Sequence, residues 1–319
     1  MKFAAIDIGS NSIKLVVVDA AASDSFAVLT REKETVRLGH ETLLKGHLGR
    51  GAILSATDCI GRFRSIAEAR GAERIVAIAT AAVREANNAA DFINAVEQKT
   101  GLKVEILSGI EEARLIGLAA SHGCSAKDAT TLNIDIGGGS TEISIFRDGL
   151  PLKLHSIRLG AVGLTERYFK SDPPGAEAVR EMQLEIRAAV EHPARELHDC
   201  RWDSVTGTSG TILAIGNTLR DWTSQAESVI NLRELAQFNA SLAEMTIPER
   251  RSAARITLQR AEIIVAGGLI LEGIMRALGI ESLSTCEWAL REGVIIDLLR
   301  AWDVSRKDAK EDAKAQSGL

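Results

Sequence analysis

The octapeptide Asp135-Ile136-Gly137-Gly138-Gly139-Ser140-Thr141-Glu142 sets three consecutive glycines between two acids, with two hydroxyls beside them. A turn that holds phosphate needs several backbone N–H groups pointing into one space, and glycine permits both the unusual backbone angles and the close approach. A purely structural hairpin could have the same composition, but three glycines flanked by acids are an uneconomical way to reverse a chain. Asp7-Ile8-Gly9-Ser10-Asn11-Ser12 repeats the plan, with an aspartate closing an apolar run before a small-residue turn. Alone it is a weak signal. The two aspartates lie 128 positions apart, 7 to 135, and the pairing strengthens both turns as phosphate loops. A third loop, Gly207-Thr208-Ser209-Gly210-Thr211, precedes a helical pattern, where unpaired N–H groups and the helix dipole favour an anion. No GK[ST] follows any of the three, so none is a Walker P-loop.

Carboxylates beside a phosphate site repel the substrate unless a cation intervenes. Asp7, Asp135 and Glu142 therefore imply magnesium or manganese, held partly through water. Ser108 and Glu111 fit the S-x-x-E capping box at the start of a helix. Glu112, in the same first turn, has no structural task visible in the pattern, although acids are favoured at helix starts in any case. Arg84, in Thr80-Ala81-Ala82-Val83-Arg84-Glu85, follows a strand and could reach a phosphate oxygen or lie on the surface.

These groups need elements to position them. Phe3 to Asp7 and Ile13 to Val18 read as strand, turn, strand, and Leu132 to Asp135 with Thr141 to Phe146 read the same way. Val36-Arg37-Leu38-Gly39 and Ile157-Arg158-Leu159-Gly160 each close the next extended stretch, so two halves repeat one plan. In the first half, helix Ala52 to Arg70, strand Arg74 to Ala79, helix Ala89 to Thr100, strand Val104 to Leu107 and helix Ile110 to His122 alternate as crossovers between parallel strands do. In the second, helix Glu177 to Leu197 precedes strand Ser204 to Thr206, and helices Arg260 to Leu278 and Ala289 to Trp302 close the fold. The fold class is thus two-lobed α/β with a central cleft. The expected boundaries are 1–125 for the first domain, completed by a C-terminal helix over 297–310, 126–296 for the second, and a frayed tail over 306–319.

A chain of 319 residues, 45% of them hydrophobic, can bury two cores. No apolar run reaches the length of a membrane span and the N-terminus lacks a secretory pattern, which predicts a cytoplasmic protein with no membrane partner. The net charge of −5 opposes a nucleic-acid partner and makes any phosphate site local. Arg31 to Arg37, and Arg250, Arg251, Arg255 and Arg260, are read as solvated faces. Cys59, Cys124, Cys200 and Cys286 form no CxxC pair and are read as core thiols rather than a disulfide frame or zinc site.

The segments AAIDIGSNSIKLVV, TAAVREA, SGIEEARLIG, NIDIGGGSTEISIF, GTSGTI and ALREGVI resemble, in order and spacing, the exopolyphosphatase and guanosine pentaphosphate phosphatase (Ppx/GppA) family. The resemblance spans nearly all of residues 2–300. It implies the duplicated actin, Hsp70 and sugar-kinase fold, of ribonuclease H-like type. It implies release of terminal phosphate from inorganic polyphosphate or conversion of pppGpp to ppGpp, with Mg2+ or Mn2+, stimulation by K+, and a homodimer.

Glu112 then matches the general base, and Asp135 and Glu142 match catalytic or metal-organising positions, with Asp7 joining the metal set. Gly9, Ser10, Asn11, Ser12, Arg84, Gly137, Gly138, Gly139, Ser140, Thr141, Gly207, Thr208, Ser209 and Gly210 are the implied phosphate contacts. Two departures stand out. Glu287 and Trp288 replace the family's aspartate and glycine before ALREG. Long members also carry a further C-terminal helical domain, which this sequence ends too early to hold, and its absence leads us to expect short polyphosphate or pppGpp as substrate. An ATP-dependent kinase of the same superfold and a non-catalytic sensor of ppGpp or polyphosphate are the rival readings.

Overall fold

The computed structural model describes residues 1–22, 25–40, 42–223 and 229–302. The expected tail over 306–319, and the end of the expected helix over 297–310, lie outside the described residues.

The first sheet comprises β1 (Lys2–Ile8), β2 (Ser12–Ala22), β3 (Ser25–Thr35), β4 (Arg74–Ala79) and β5 (Val104–Ile106), in the order β3-β2-β1-β4-β5. Antiparallel pairing of β1, β2 and β3 follows from their short connections, and β4 and β5 add in parallel through helical crossovers. The second sheet comprises β6 (Thr130–Ile136), β7 (Thr141–Arg147), β8 (Leu150–Ile157), β9 (Ser204–Thr208), β10 (Val229–Asn231) and β11 (Ser282–Thr285), ordered β10-β11-β9-β6-β7-β8. Read from β8 to β11, this is the order of the first sheet, with β10 added at the edge. The sequence repeat is therefore a repeat of topology, and the fold is the duplicated actin-like α/β plan.

Each half fastens its glycine turn in the same way. Gly9 N–H donates to Ser12 O (3.2 Å) and Gly137 N–H to Ser140 O (2.9 Å). The residues after β3 then reach back, with Val36 and Arg37 N–H on Asn11 O and Gly39 N–H on Ser10 O. After β8, Ala161 N–H meets Gly137 O, and Val162 and Gly163 N–H meet Gly138 O. The echoed VRLG and IRLG segments end in glycine because no side chain fits there. A Cβ on Gly39 would lie 2.7 Å from Ser10 Cβ, and one on Gly160 would lie 2.3 Å from Gly138 O.

The second lobe buries one core, built from β6, β7, the helix Ala176–Leu197 and the helix Leu258–Leu278. The first lobe has a core on each sheet face. Phe63, Phe92 and Leu48 fill one. In the other, Phe3, Ala5 and Ile78 pack against Leu115 and Ile116 of the helix Gly109–Cys124 and against Leu290, Ile295 and Leu299 of a helix over 290–302. The helix Gly109–Cys124 also meets the second lobe, where Gly117 lies so close to Phe146 and Ser144 that no side chain could be added.

Several sequence expectations change. β9 runs through Gly207 and Thr208, expected as loop, because both continue the parallel ladder with β6 and Gly207 continues that with β11. Arg250 is not on a solvated face. It is 2% exposed, with its Nε donating to Leu242 O at 2.8 Å. Cys124 and Cys286, read as core thiols, form a disulfide between residues 162 positions apart. Trp288 packs between His122 (ring centroids 5.5 Å) and Phe26 (5.3 Å), while Glu287 is exposed.

Candidate active site

The two glycine turns face each other across a cleft between the lobes. A Cβ on Gly138 would lie 3.0 Å from Ser10 Cβ, and one on Gly139 would lie 2.8 Å from Ala81 Cβ, so the turns are in contact at the cleft floor. Asp7, Gly9, Ser10, Asn11 and Ser12 line one wall; Asp135, Gly137, Gly138, Gly139 and Ser140 line the other. Glu112 enters from the first turn of its helix, and Ser209 and Gly210 close the cleft from the end of β9. Ser108 Oγ caps that helix by accepting from Glu111 N–H at 3.1 Å. The Glu111 carboxylate turns away to Arg114, at 2.7 and 2.8 Å.

The strand register explains which side chains meet. Thr208, Asp135, Glu142 and Ser156 are opposed in turn across β9, β6, β7 and β8 and form one row. Thr208 Oγ1 donates to Asp135 Oδ2 at 2.5 Å, and Ser156 Oγ donates to Glu142 Oε1 at 2.8 Å. In the first lobe the matching row is Asp7, Lys14 and Lys33, with Lys14 Nζ 3.5 Å from Asp7 Oδ2.

Four of the implied phosphate contacts, and the implied metal position Glu142, lie off the cleft wall. Thr141 points to the opposite face of β7 from Ser140 and Glu142, and its Oγ1 donates to Leu159 O. Gly207 is a packing glycine against Ile212 and Leu283, and Thr208 serves Asp135. Glu142 sits behind the wall, 1% exposed. Arg84 holds the candidate base instead, its Nη1 donating to Glu112 Oε2 at 2.9 Å and to Leu107 O at 3.0 Å.

The cleft also contains groups that the sequence reading does not place there, and Arg260, expected on a solvated face, is among them because its helix packs against the chain just after β9. Lys14, Thr80, Thr211, Arg260 and Arg291 line the cleft. Arg260 Nη1 donates to Thr211 Oγ1 at 2.9 Å, and burial pushes its guanidinium down to about 10. Lys33, which lines a separate hollow with Arg260, is pushed down to about 8 by partial burial and then by Arg260, Lys14 and Arg291. Ser209 has φ 86°, a left-handed conformation that a serine adopts only where its surroundings impose it.

A family model described as the Ppx/GppA phosphatase family matches residues 16–301. The chain belongs to that family. It is 33% identical over 301 residues to Exopolyphosphatase 1 of Mycobacterium leprae, covering 93% of this chain and 89% of the relative. It is 31% identical over 297 residues to a guanosine-5'-triphosphate,3'-diphosphate pyrophosphatase of Photobacterium profundum, covering 93% of this chain and 59% of that longer relative. The crystal structure of the Aquifex aeolicus Ppx/GppA family member superposes with a TM-score of 0.77 at 25% identity, over 94% of this chain and 98% of that one. An exopolyphosphatase from Cytophaga hutchinsonii shares the fold, with a TM-score of 0.87 at 24% identity over 94% and 98% of the two chains. This Ppx/GppA chain is a hydrolase. No helix among its described residues is long and apolar enough to cross a membrane.

The electrostatics of the Ppx/GppA cleft bear on a metal. Burial pushes the Glu112 carboxyl up to about 7, with Arg84 opposing and Asp7 and Asp135 adding to the rise. Asp135 is raised by burial, with Thr208 and Lys14 opposing and Asp7 adding. Glu142 is raised well above its ordinary range by burial and then by Glu112 and Asp135, against the hydroxyls of Ser156 and Ser140. Its Oε2 is buried without a hydrogen-bond partner. An orphaned carboxylate oxygen among like charges fits a divalent cation. Among the described residues, however, no three His, Cys, Asp or Glu side chains form a ready-made ligand cluster. The donor set therefore fits an ion that keeps waters and takes phosphate oxygens, as magnesium does.

Proposed function

We propose that the cleft hydrolyses the terminal phosphoanhydride bond of inorganic polyphosphate or of pppGpp, with Glu112 as general base. The observation that supports this most directly is the meeting of two glycine turns across the cleft with a buried, Arg84-held carboxylate between their lobes. Backbone N–H groups of the two turns, with Ser10 and Ser140, hold the terminal phosphoryl group. Glu112 takes a proton from water as the water oxygen bonds to phosphorus. The bridging P–O bond breaks, and the remaining chain leaves with the bridging oxygen. Lys14, Arg260 and Arg291 balance charge on that chain.

Magnesium or manganese, held by Asp7, Asp135 and Glu142 partly through water, would supply charge neutralisation on the phosphate oxygens. Potassium stimulation, a homodimer and a cytoplasmic setting complete the reading. Salt variation tests the first, sedimentation the second, and fractionation of cells expressing the tagged chain the third.

The deciding experiment follows phosphate release from tripolyphosphate, long polyphosphate and pppGpp, with and without magnesium, for the wild type and Glu112→Ala. Loss of a general base lowers turnover by about 10²–10⁴-fold while binding survives. Binding of all three with no release by the wild type would turn the reading to a sensor. Turnover of ATP only with an added acceptor would turn it to a kinase.

A further inference from the structure

Two segments carry the chain between the lobes. One leaves the helix Gly109–Cys124 for β6, and the other leaves β11 for the helix over 290–302, whose Leu290 and Ile295 pack in the first lobe. Cys124 and Cys286 lie on these segments, with Cα atoms 6.1 Å apart, and their disulfide ties one crossover to the other. Disulfides are rare in reducing compartments, where those that occur are transient or redox-sensing. We propose that Cys124–Cys286 is a redox modification site, opened by a dithiol reductant of the thioredoxin class, and that it governs how far the two lobes can separate.

The surroundings suit this task. Cys124 is exposed, whereas Cys286 is 2% exposed and its N–H donates to Gly207 O at 2.9 Å. Attack therefore falls on Cys124. A thiolate of the reductant bonds to Cys124 Sγ, the S–S bond breaks, and Cys286 leaves as a thiolate that takes up a proton. The second reductant thiol then displaces Cys124, so one disulfide and one dithiol become two protein thiols and one oxidised reductant. Cys59 does not compete, since it is wholly buried and burial pushes its thiol up to about 12.

Both tied segments lead to the cleft. Glu112 is at the far end of the helix that ends at Cys124, and Arg291 follows Cys286 by five positions. The two helices touch where Gly293 meets Leu115, and a Cβ there would lie 2.0 Å from Leu115 O. With the disulfide formed, the glycine turns are already in contact and Arg37 Nη2 bridges to Glu262 Oε2 across the lobes at 2.7 Å. The oxidised state is thus the closed state, and reduction releases the hinge to open.

The test uses the full chain before and after dithiothreitol, with denatured thiol counts, small-angle scattering and kinetics on tripolyphosphate. Two of the four cysteines count as free before reduction and all four after it. Reduction enlarges the radius of gyration and raises KM about threefold or more, with little change in kcat, because pre-organisation of the cleft is lost. C124S and C286S each behave as the reduced wild type and ignore the reagent. Scattering and equilibrium binding of tripolyphosphate give the same answer if the chain binds but does not hydrolyse, which separates this proposal from the catalytic one. Four free thiols before reduction, equal scattering and affinity in both states, or variants that still respond to reductant would each overturn it.

Discussion

Arg84 Nη1 lies 2.9 Å from Glu112 Oε2, so the arginine implied as a phosphate contact is the partner of the candidate base. Its hydrogen bond and positive charge favour the ionised carboxylate, against burial that pushes Glu112 up to about 7. A base must be ionised to accept a proton, so activity should rise as pH passes through about 7. Arg84→Gln removes the opposing cation, and the acid limb of the pH–rate profile should move to higher pH. An unmoved limb would show that Glu112 does not set it.

The raised carboxyls also govern stability. Glu112, Asp135 and Glu142 all hold protons more tightly in the folded than in the unfolded chain. Where the folded state binds more protons, unfolding free energy falls as pH rises. Their contribution is therefore greatest below the unfolded carboxyl pKa and is lost as pH rises, that of Glu112 as pH climbs through about 7. Thermal melts of ligand-free protein should show Tm declining from mildly acidic to mildly alkaline buffer, with magnesium reducing the decline.

Glu142→Gln keeps the shape and removes the charge whose Oε2 has no partner. At alkaline pH the ligand-free variant should melt higher than the wild type and gain less from magnesium. A magnesium increment equal to that of the wild type would exclude Glu142 from the ion's surroundings.

Arg260→Gln should leave the fold intact, because its Nη1 donates to a hydroxyl, Thr211 Oγ1, rather than to a carboxylate. A charge-assisted contact to phosphate is worth about 1.5–3 kcal/mol, so KM for polyphosphate should rise by roughly 10- to 100-fold. Steady-state kinetics at two ionic strengths would check both the rise and a weaker salt dependence.

Gly160→Ala tests the close approach over the glycine turn. Its Cβ would lie 2.3 Å from Gly138 O, a backbone atom that cannot swing aside. Overpacking of this kind costs about 1–3 kcal/mol. Urea unfolding should show the loss, together with a fall in activity as the turn shifts.

Much of this was legible because the sequence says it twice. The turns at Gly9 and Gly137, and the echoes ending at Gly39 and Gly160, carry the duplication of the two halves, whereas the strand order and the strands β10 and β11 rest on pairing that no local pattern marks. Thr141 could also have been set aside, since a strand cannot aim residues 140, 141 and 142 at one face. Other features left no local mark. Arg260 and Arg250 share one helical charge pattern, yet one lines the cleft and the other is buried under Leu242, a difference fixed by tertiary packing. The extension of β9 through Gly207 was hidden because a glycine followed by small hydroxyl residues reads as loop, while the ladder with β6 overrides that preference. The cysteine pair is separated by 162 positions and no spacing rule could join it.

The two sheet rows show how the duplicated halves have parted company. Lys14 occupies in the first half the register position that Glu142 occupies in the second, each directly opposite its turn aspartate. The backbone repeats one strand order in both halves, and the charges do not follow it. Had both halves kept the same row, the cleft would look alike from either side and a phosphate chain could lie in it head first or tail first. With lysine lining one wall and glutamate buried behind the other, the cleft has a sense of direction, and its field tells the two ends of a linear anion apart.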